Sequence, residues 1–250
     1  MKTLPAGLVA GFILSALSVN PGFSQSQDGA SSAESYYHFA IGRTLEAEGD
    51  WEGALDKYEE ALAADPTNSA VYSEMAESYF RHQQVRDAVD YAERAIRADP
   101  DNLDAHQLLS SIYTGLLGNA TGGRAVAPEI VGRAIEELEE VVRLAPTERE
   151  SYLMLGRLYR FRDEPERAAQ VYRDILDISP GSEEGAVSLA ELQLELGNVE
   201  EAIAILREFT ETQSDSGAVI ALLGGAYVRV GDWENAAAAF SDAVVLDPDN

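Results

Sequence analysis

The sequence predicts an all-α solenoid of antiparallel helix hairpins, and three observations carry that prediction. Prolines recur on a fixed period: Pro66 to Pro100 is 34 residues, Pro146 to Pro180 is 34, and Pro180 to Pro248 is 68, with Ser214 where a proline would fall between them. Small residues recur at two offsets, Gly42, Ala76, Ser110, Gly156, Ala190 and Gly224 at the eighth position and Ala54, Ala88, Ala134, Ala168, Ala202 and Ala236 at the twentieth. Large residues stand between them, Leu45, Tyr79, Tyr113, Tyr159, Gln193 and Tyr227 at the eleventh position and Tyr58, Ala92, Leu138, Tyr172, Leu206 and Phe240 at the twenty-fourth. Apolar residues three to four apart, interrupted in mid-unit by Gly-Asp or Gly-Asn, describe two short amphipathic helices joined by a turn.

Six units follow, at residues 35–68, 69–102, 103–148, 149–182, 183–216 and 217–250. The third carries 12 extra residues. One hairpin of this kind cannot bury its own apolar face, so each needs neighbours.

Ahead of the repeats, Met1 and Lys2 give a positive start and residues 4–19 a nearly unbroken uncharged apolar run. That run is shorter than the roughly 20 residues that span a bilayer. Residues 1–24 therefore read as a secretory signal peptide cut ahead of Gln25, with an uncleaved membrane anchor as the alternative. Residues 25–34 read as a flexible polar spacer. Localisation is accordingly expected to be exported, periplasmic or secreted. The chain has no cysteine, hence no disulfide, thiolate metal site or lipid-bearing cysteine.

Helices are expected to stop before Pro66 and Pro100, because proline disfavours helical geometry in the residue before it and donates no backbone hydrogen bond. The Asn, Asp, Thr and Ser residues that follow supply caps for the next helix. In unit three Gly118, Gly122 and Gly123 are expected to break the helix, and Pro128-Glu129 to open the next. The intervening loop, roughly 117–127, is either a contribution to binding or a tolerated surface insertion. Asn119-Ala120-Thr121 within it matches the N-glycosylation triplet, a pattern short enough to arise by chance. The last helix, 235–246, ends on apolar residues through Leu246 with no polar capping face. The expectation is a longer polypeptide or self-association through this end.

A 34-residue helical hairpin with this small and large alternation and a terminal proline resembles the tetratricopeptide repeat (TPR) over residues 35–250. Gly49-Asp50-Trp51 and Gly231-Asp232-Trp233 resemble the family's turn within the hairpin. The resemblance implies a right-handed superhelix whose first helices line a concave groove through their second, fifth, ninth, twelfth and thirteenth positions. These hold Tyr36, Phe39 and Arg43 in unit one, Glu77, Phe80 and Arg81 in unit two, Arg157, Arg160 and Phe161 in unit four, and Val228 and Arg229 in unit six. Glu46, Asp104, Glu150, Glu184, Glu191 and Glu195 share the lining. The Lys and Asn groove pattern by which some members of the family grip chaperone tails is absent, since the fifth and ninth positions read Phe39 and Arg43, Ser73 and Glu77, Gln107 and Ser111.

No catalytic or cofactor constellation occurs, so the chain is expected to be no enzyme and to need no cofactor or metal. His38, His82 and His106 lack the partners that catalysis or metal binding requires and read as structural or surface residues. Acid pairs at Glu59-Glu60, Glu136-Glu137, Glu139-Glu140 and Glu200-Glu201 read as solvated faces. Eighteen basic against 44 acidic residues leave a formal charge of −26, which argues against nucleic acid or an anionic membrane as partner. Arginine beside aromatic rings suits protein recognition. Arg157, Arg160 and Phe161 make the best local candidate, taking a carboxylate or a carbonyl-rich strand, or else pairing with acids such as Glu191 or Asp104 to hold repeats in register. The expected function is a scaffold or adaptor gripping a peptide segment or helix of a protein partner; the rival is a recruiting arm for a catalytic domain beyond Asn250.

Overall fold

The computed structural model describes residues 22–120, 128–213 and 216–247, and every regular element among them is a helix. The chain divides into two compact units, residues 1–67 and 68–250.

The first unit pairs α1 (Gly22–Ala47) with α2 (Trp51–Ala64). Gly42 lies directly against the ring of Tyr58, where a Cβ would come within 2.5 Å of a ring carbon. Ala54, Tyr58 and Ala61 are fully buried. Residues 25–34, expected as a flexible polar spacer, belong to α1. The Ser31 hydroxyl donates across the hairpin to the carbonyl of Ala64, one of the acceptors that a helix end leaves unsatisfied. Gly22–Ser24, expected to close the signal peptide, also belong to α1, and residues 1–21 lie outside the described residues. Among the described residues no helix is long and apolar enough to cross a membrane.

The second unit stacks five hairpins: α3 (Ser69–Arg81) with α4 (Val85–Ala98), α5 (Leu103–Ala120) with α6 (Pro128–Leu144), α7 (Arg149–Phe161) with α8 (Pro165–Ile178), α9 (Glu183–Glu195) with α10 (Val199–Thr212), and α11 (Gly217–Val230) with α12 (Trp233–Leu246). Each second helix packs on the first helix of the next hairpin, and first helices also meet, α3 with α5, α7 with α9, and α9 with α11. Ala88, Ala134, Ala168 and Ala202 are fully buried, which is why small residues were required at that offset.

Among the described residues, the turn within five of the hairpins repeats one geometry. Gly49, Gln83, Asp163, Gly197 and Gly231, all at the fifteenth position, take φ between 60° and 89°. The next residue's N–H then bonds back to the carbonyl of the eleventh position, as from Gln84 to Tyr79 at 2.9 Å and from Glu164 to Tyr159 at 2.9 Å, closing the first helix. Asn68, Asn102, Ser182 and Ser216 cap the following first helices through their side chains, as expected.

In unit three α5 continues through Gly118 to Ala120, so the expected break at Gly118 does not occur, while α6 opens at Pro128 as anticipated. A single helical glycine costs about 1 kcal/mol relative to alanine, too little to end a helix packed on α6. Residues 121–127, and with them most of the expected loop and the end of the glycosylation triplet, lie outside the described residues.

One inner feature was not read correctly from sequence. Glu137 is not on a solvated face: it is buried, its Oε2 2.6 Å from Nδ1 of the equally buried His106, whose Nε2 lies 3.1 Å from the carbonyl of Pro100. Burial holds the Glu137 carboxyl above the ordinary carboxylate range, against the opposing pull of the His106 bond. On the exposed side of the second helices, some of the acids pair with arginines of the adjacent repeat in a ladder. The twenty-fifth position of one unit meets the nineteenth of the next, as Glu93 with Arg133 at 3.2 Å, Glu139 with Arg167, and, with the charges exchanged, Arg173 with Glu201 at 2.9 Å.

Two predictions follow from this packing. Gly156→Ala places a Cβ within 2.3 Å of the Tyr172 ring and is expected to lower unfolding stability by about 1–3 kcal/mol, whereas Gly225→Ala meets nothing and is expected to raise it by about 0.5–1 kcal/mol. Equal effects in urea unfolding would show that the ring contact does not fix the hairpin. For Glu137, a carboxyl whose folded value is raised contributes stability that is fully present below its unfolded value and fades as pH rises through the folded one. Measured at constant ionic strength between about pH 4 and about pH 6, the stability difference between the natural chain and Glu137→Gln should therefore move toward the variant as pH rises. A difference that stays constant would mean that Glu137 is as easily ionised in the fold as in the unfolded chain.

Candidate functional site

The residues assigned to a groove all fall on first helices, but they do not form one cluster. In the first unit Tyr36 and Arg43 are exposed on α1, while Phe39 is half-buried with its ring 5.8 Å from that of Tyr58. In the second unit Glu77, Phe80 and Arg81 share α3, Arg157, Arg160 and Phe161 share α7, and Arg229 stands on α11.

The arginines differ in what holds them. Arg81 donates to Glu77 one turn earlier, at 3.0 Å. Arg229 donates to the carbonyl of Leu194 at 2.8 Å and ties α11 to α9. Arg160 pairs with Glu195 and ties α7 to α9. For Arg160 and Arg229 the register-holding role is therefore real, with Glu195 and a backbone carbonyl as partners rather than Glu191 or Asp104.

Arg157 is different. It is exposed, and no carboxylate among the described residues lies within ion-pair distance of it. Phe161, one turn further along α7, is 64% exposed. Asp104, Glu150, Glu184 and Glu191 are exposed on the neighbouring first helices or on α7 itself, so the face is mixed and more acidic than basic.

Beneath this part of the face lies a residue that sequence reasoning placed only as packing. Tyr172 of α8 has 0% exposure, and its ring passes so close to Gly156 that the phenol reaches the neighbourhood of Arg157, Arg160 and Glu191. Its hydroxyl lies beside the Arg160 guanidinium, which can only donate to it, and finds no acceptor for its own proton among the described residues. Burial pushes the phenol above its ordinary value, while the guanidinium groups of Arg160 and Arg157 pull the other way. A buried hydroxyl left in this condition costs about 1–3 kcal/mol. The signal that would have found it is the pairing of the twelfth and twenty-fourth positions: in the first unit these are Glu46 and Tyr58, and the Tyr58 hydroxyl donates to Glu46 at 2.9 Å.

Tyr159 shows a satisfied phenol on the other side of the same hairpin. Its hydroxyl donates to Glu139, and the Arg167 guanidinium sits 4.2 Å above its ring. Burial, followed by the Glu139 bond, raises its value strongly. Among the described residues no group of His, Asp and Glu has the arrangement of a metal site.

Comparison with known proteins agrees with this architecture. A sequence model of the tetratricopeptide repeat matches residues 45–112 and 162–225, and a second one matches residues 131–183. Protein O-mannosyl-transferase TMTC3 of Mus musculus is 24% identical over 157 residues, covering 62% of this chain and 17% of the transferase. A DnaJ homolog subfamily C member 7 homolog of Schizosaccharomyces pombe (strain 972 / ATCC 24843) is 24% identical over 256 residues, covering 93% of this chain and 52% of that protein. The chain thus spans about half or less of the length of these relatives. Among solved structures, YrrB, a TPR protein with an unusual peptide-binding site, superposes with a TM-score of 0.57 at 16% identity over 77% of this chain and 93% of YrrB, which establishes the likeness of fold alone. With repeat matches over more than half of its 250 residues, and helix hairpins in the described parts of those stretches, the chain belongs to the tetratricopeptide repeat family, a fold of protein-interaction scaffolds.

Proposed function

We propose that the chain is an exported adaptor that grips an extended segment or helix of a partner protein along the first-helix face of residues 68–250. The observation that carries this reading is the pairing on α7 of an exposed ring, Phe161, with a guanidinium, Arg157, that has no ion-pair partner among the described residues of a chain with charge −26. Every acid in such a chain competes for cations, so an arginine held apart from them is a group kept for something else. Aromatic and arginine side chains are the ones that most often anchor protein interfaces. Phe80 adds a second partly exposed ring on α3. Peptide binding by YrrB is compatible with this use of the fold. Export rests on the positive start and the uncharged apolar run at residues 4–19.

A second reading has one observation in its favour. The match to O-mannosyl-transferase TMTC3 takes in 17% of that protein, so repeats of this kind occur within a longer chain that bears a transferase name. On that reading this stretch recruits a partner for a catalytic part elsewhere in its polypeptide, and the binding face is the same.

Selection of a random-peptide library on the purified protein tests the binding reading. Peptides bound to the natural chain are expected to lose about 1–3 kcal/mol of affinity to Arg157→Ala and to Phe161→Ala, with the far-ultraviolet circular dichroism of both variants unchanged. Failure to recover any peptide, or recovery of peptides that bind both variants as tightly as the natural chain, would remove the first-helix face as the binding site.

A further inference from the structure

The hairpin of residues 149–182 contains a hydrogen-bond donor whose acceptor the chain does not supply. Three hairpins lay a ring of the second helix over a glycine of the first: Tyr58 over Gly42, Tyr172 over Gly156, and Phe240 over Gly224. In the first two, the ring at the twenty-fourth position of its unit reaches the residue at the twelfth. Those twelfth residues are Glu46, Arg160 and Val228. Their chemistry decides what the ring can carry. Glu46 accepts the Tyr58 proton at 2.9 Å. In the last hairpin the twelfth residue, Val228, offers nothing polar, and the twenty-fourth is a phenylalanine without a hydroxyl. In the middle case a phenol faces Arg160, and a guanidinium has donors only. The most it can do is donate to the phenol oxygen, which still leaves the phenol proton without an acceptor.

The Tyr172 hydroxyl lies buried beneath α7 with the Arg160 guanidinium beside it, and Arg157, whose charge acts on the same phenol, is exposed one turn of α7 away, so three donors share one neighbourhood. Glu195 engages Arg160, but Tyr172 and Arg157 have no acceptor or acid of their own among the described residues. A retained buried hydroxyl is explained neither by packing, since phenylalanine fills the equivalent place in the last hairpin, nor by pairing within the chain. Convergent donors with one of them buried are the arrangement that receives an anionic oxygen from outside, because a carboxylate accepts several hydrogen bonds at once and each charged one is roughly twice as strong as a neutral one.

We propose that Arg157, Arg160 and Tyr172 form a subsite for the side-chain carboxylate of an Asp or Glu in the bound partner segment, with Phe161 covering an apolar residue next to it. This rests on the reading of the first-helix face as a peptide-binding surface and gives that surface its specificity. The surrounding acids limit what else the segment carries. Glu150 on α7 and Glu184 and Glu191 on α9 are exposed nearby, and they disfavour a run of acids while tolerating a single one. The recognised motif is thus one acid beside one apolar residue, in a segment otherwise neutral or basic.

The probe is a phage-displayed random-peptide library in which each peptide's C terminus is fused to the coat protein, so that side chains are the source of carboxylate. Peptides selected on the natural chain are expected to share an Asp or Glu next to an apolar residue. Replacing that acid by its amide should weaken binding to the natural chain about tenfold, and to Tyr172→Phe or Arg157→Ala by about twofold or less. Free Tyr172→Phe should unfold at the same temperature as the natural chain or higher, a combination of unchanged fold and weaker binding that a purely structural tyrosine does not give. Selected peptides whose affinity ignores the acid-to-amide change, or that bind Tyr172→Phe as tightly as the natural chain, would overturn the carboxylate subsite and leave the peptide-binding face standing. A library that yields no binder would overturn both. Competition by a peptide whose only carboxylate is its free C terminus, as effective as the side-chain acid, would assign the subsite to chain ends and overturn the side-chain assignment.

Discussion

The contact on which the structure depends is the seating of a large ring on a residue with no side chain. Gly156 accepts Tyr172 at a distance no alanine tolerates, and Gly42 with Tyr58 and Gly224 with Phe240 repeat the arrangement. This fixes how near the two helices of a hairpin lie, and the buried alanines at the twentieth position, with 0% exposure at Ala54, Ala88, Ala134, Ala168 and Ala202, permit the approach on the other side. In a solenoid each repeat packs mainly on its neighbours, so the separation set inside one hairpin determines which side chains of its first helix remain outside. The same contact has a chemical result. It carries the tip of a ring from the second helix to a buried place beneath the first, where a hydroxyl, if the ring bears one, meets the side chains of that first helix.

Much of this architecture is written in the sequence, because a repeat states each constraint several times. The period, the small offsets, the caps at Asn68, Asn102, Ser182 and Ser216, and the start of α6 at Pro128 all follow from local chemistry. The turn is instructive. Glycine marks it at Gly49, Gly197 and Gly231, yet Gln83 and Asp163 take the same left-handed geometry, at a strain of roughly 1–2 kcal/mol, because the closing bonds and the packed helices on either side impose it. Position in the repeat outranks residue type. The misreadings share one cause: local propensity was overruled by a partner distant in sequence. Gly118 does not end α5, and Glu137 is buried because His106 lies opposite it.

The same distinction separates the legible part of the candidate site from the rest. That Arg157 and Phe161 stand on an exposed face follows from their positions in the repeat. That Arg160 and Arg229 are engaged by the adjacent repeat does not, since Glu195 and the Leu194 carbonyl each lie 35 residues away and several other acids are equally near in sequence. Tyr172 was least legible. A tyrosine at a packing position reads as an apolar ring, and its hydroxyl gains meaning only once the residue opposite its tip is known to be a donor.

A charge of −26 in 250 residues makes the disposition of cations the organising electrostatic fact. In the second unit several of them go to the joints between repeats: Arg133, Arg167 and Arg173 meet acids of the adjacent second helix. Exposed pairs of this kind contribute about 0.2–1 kcal/mol each, so they do not hold the stack together; apolar burial does. Their effect is on alternatives, since a slipped register sets acid against acid on one side of the solenoid and leaves arginines unpaired. Against that background, a cation withheld from the ladder and a phenol withheld from any acceptor on the opposite face are both losses of stability. Their coincidence at α7 is the ground on which the proposed binding site rests.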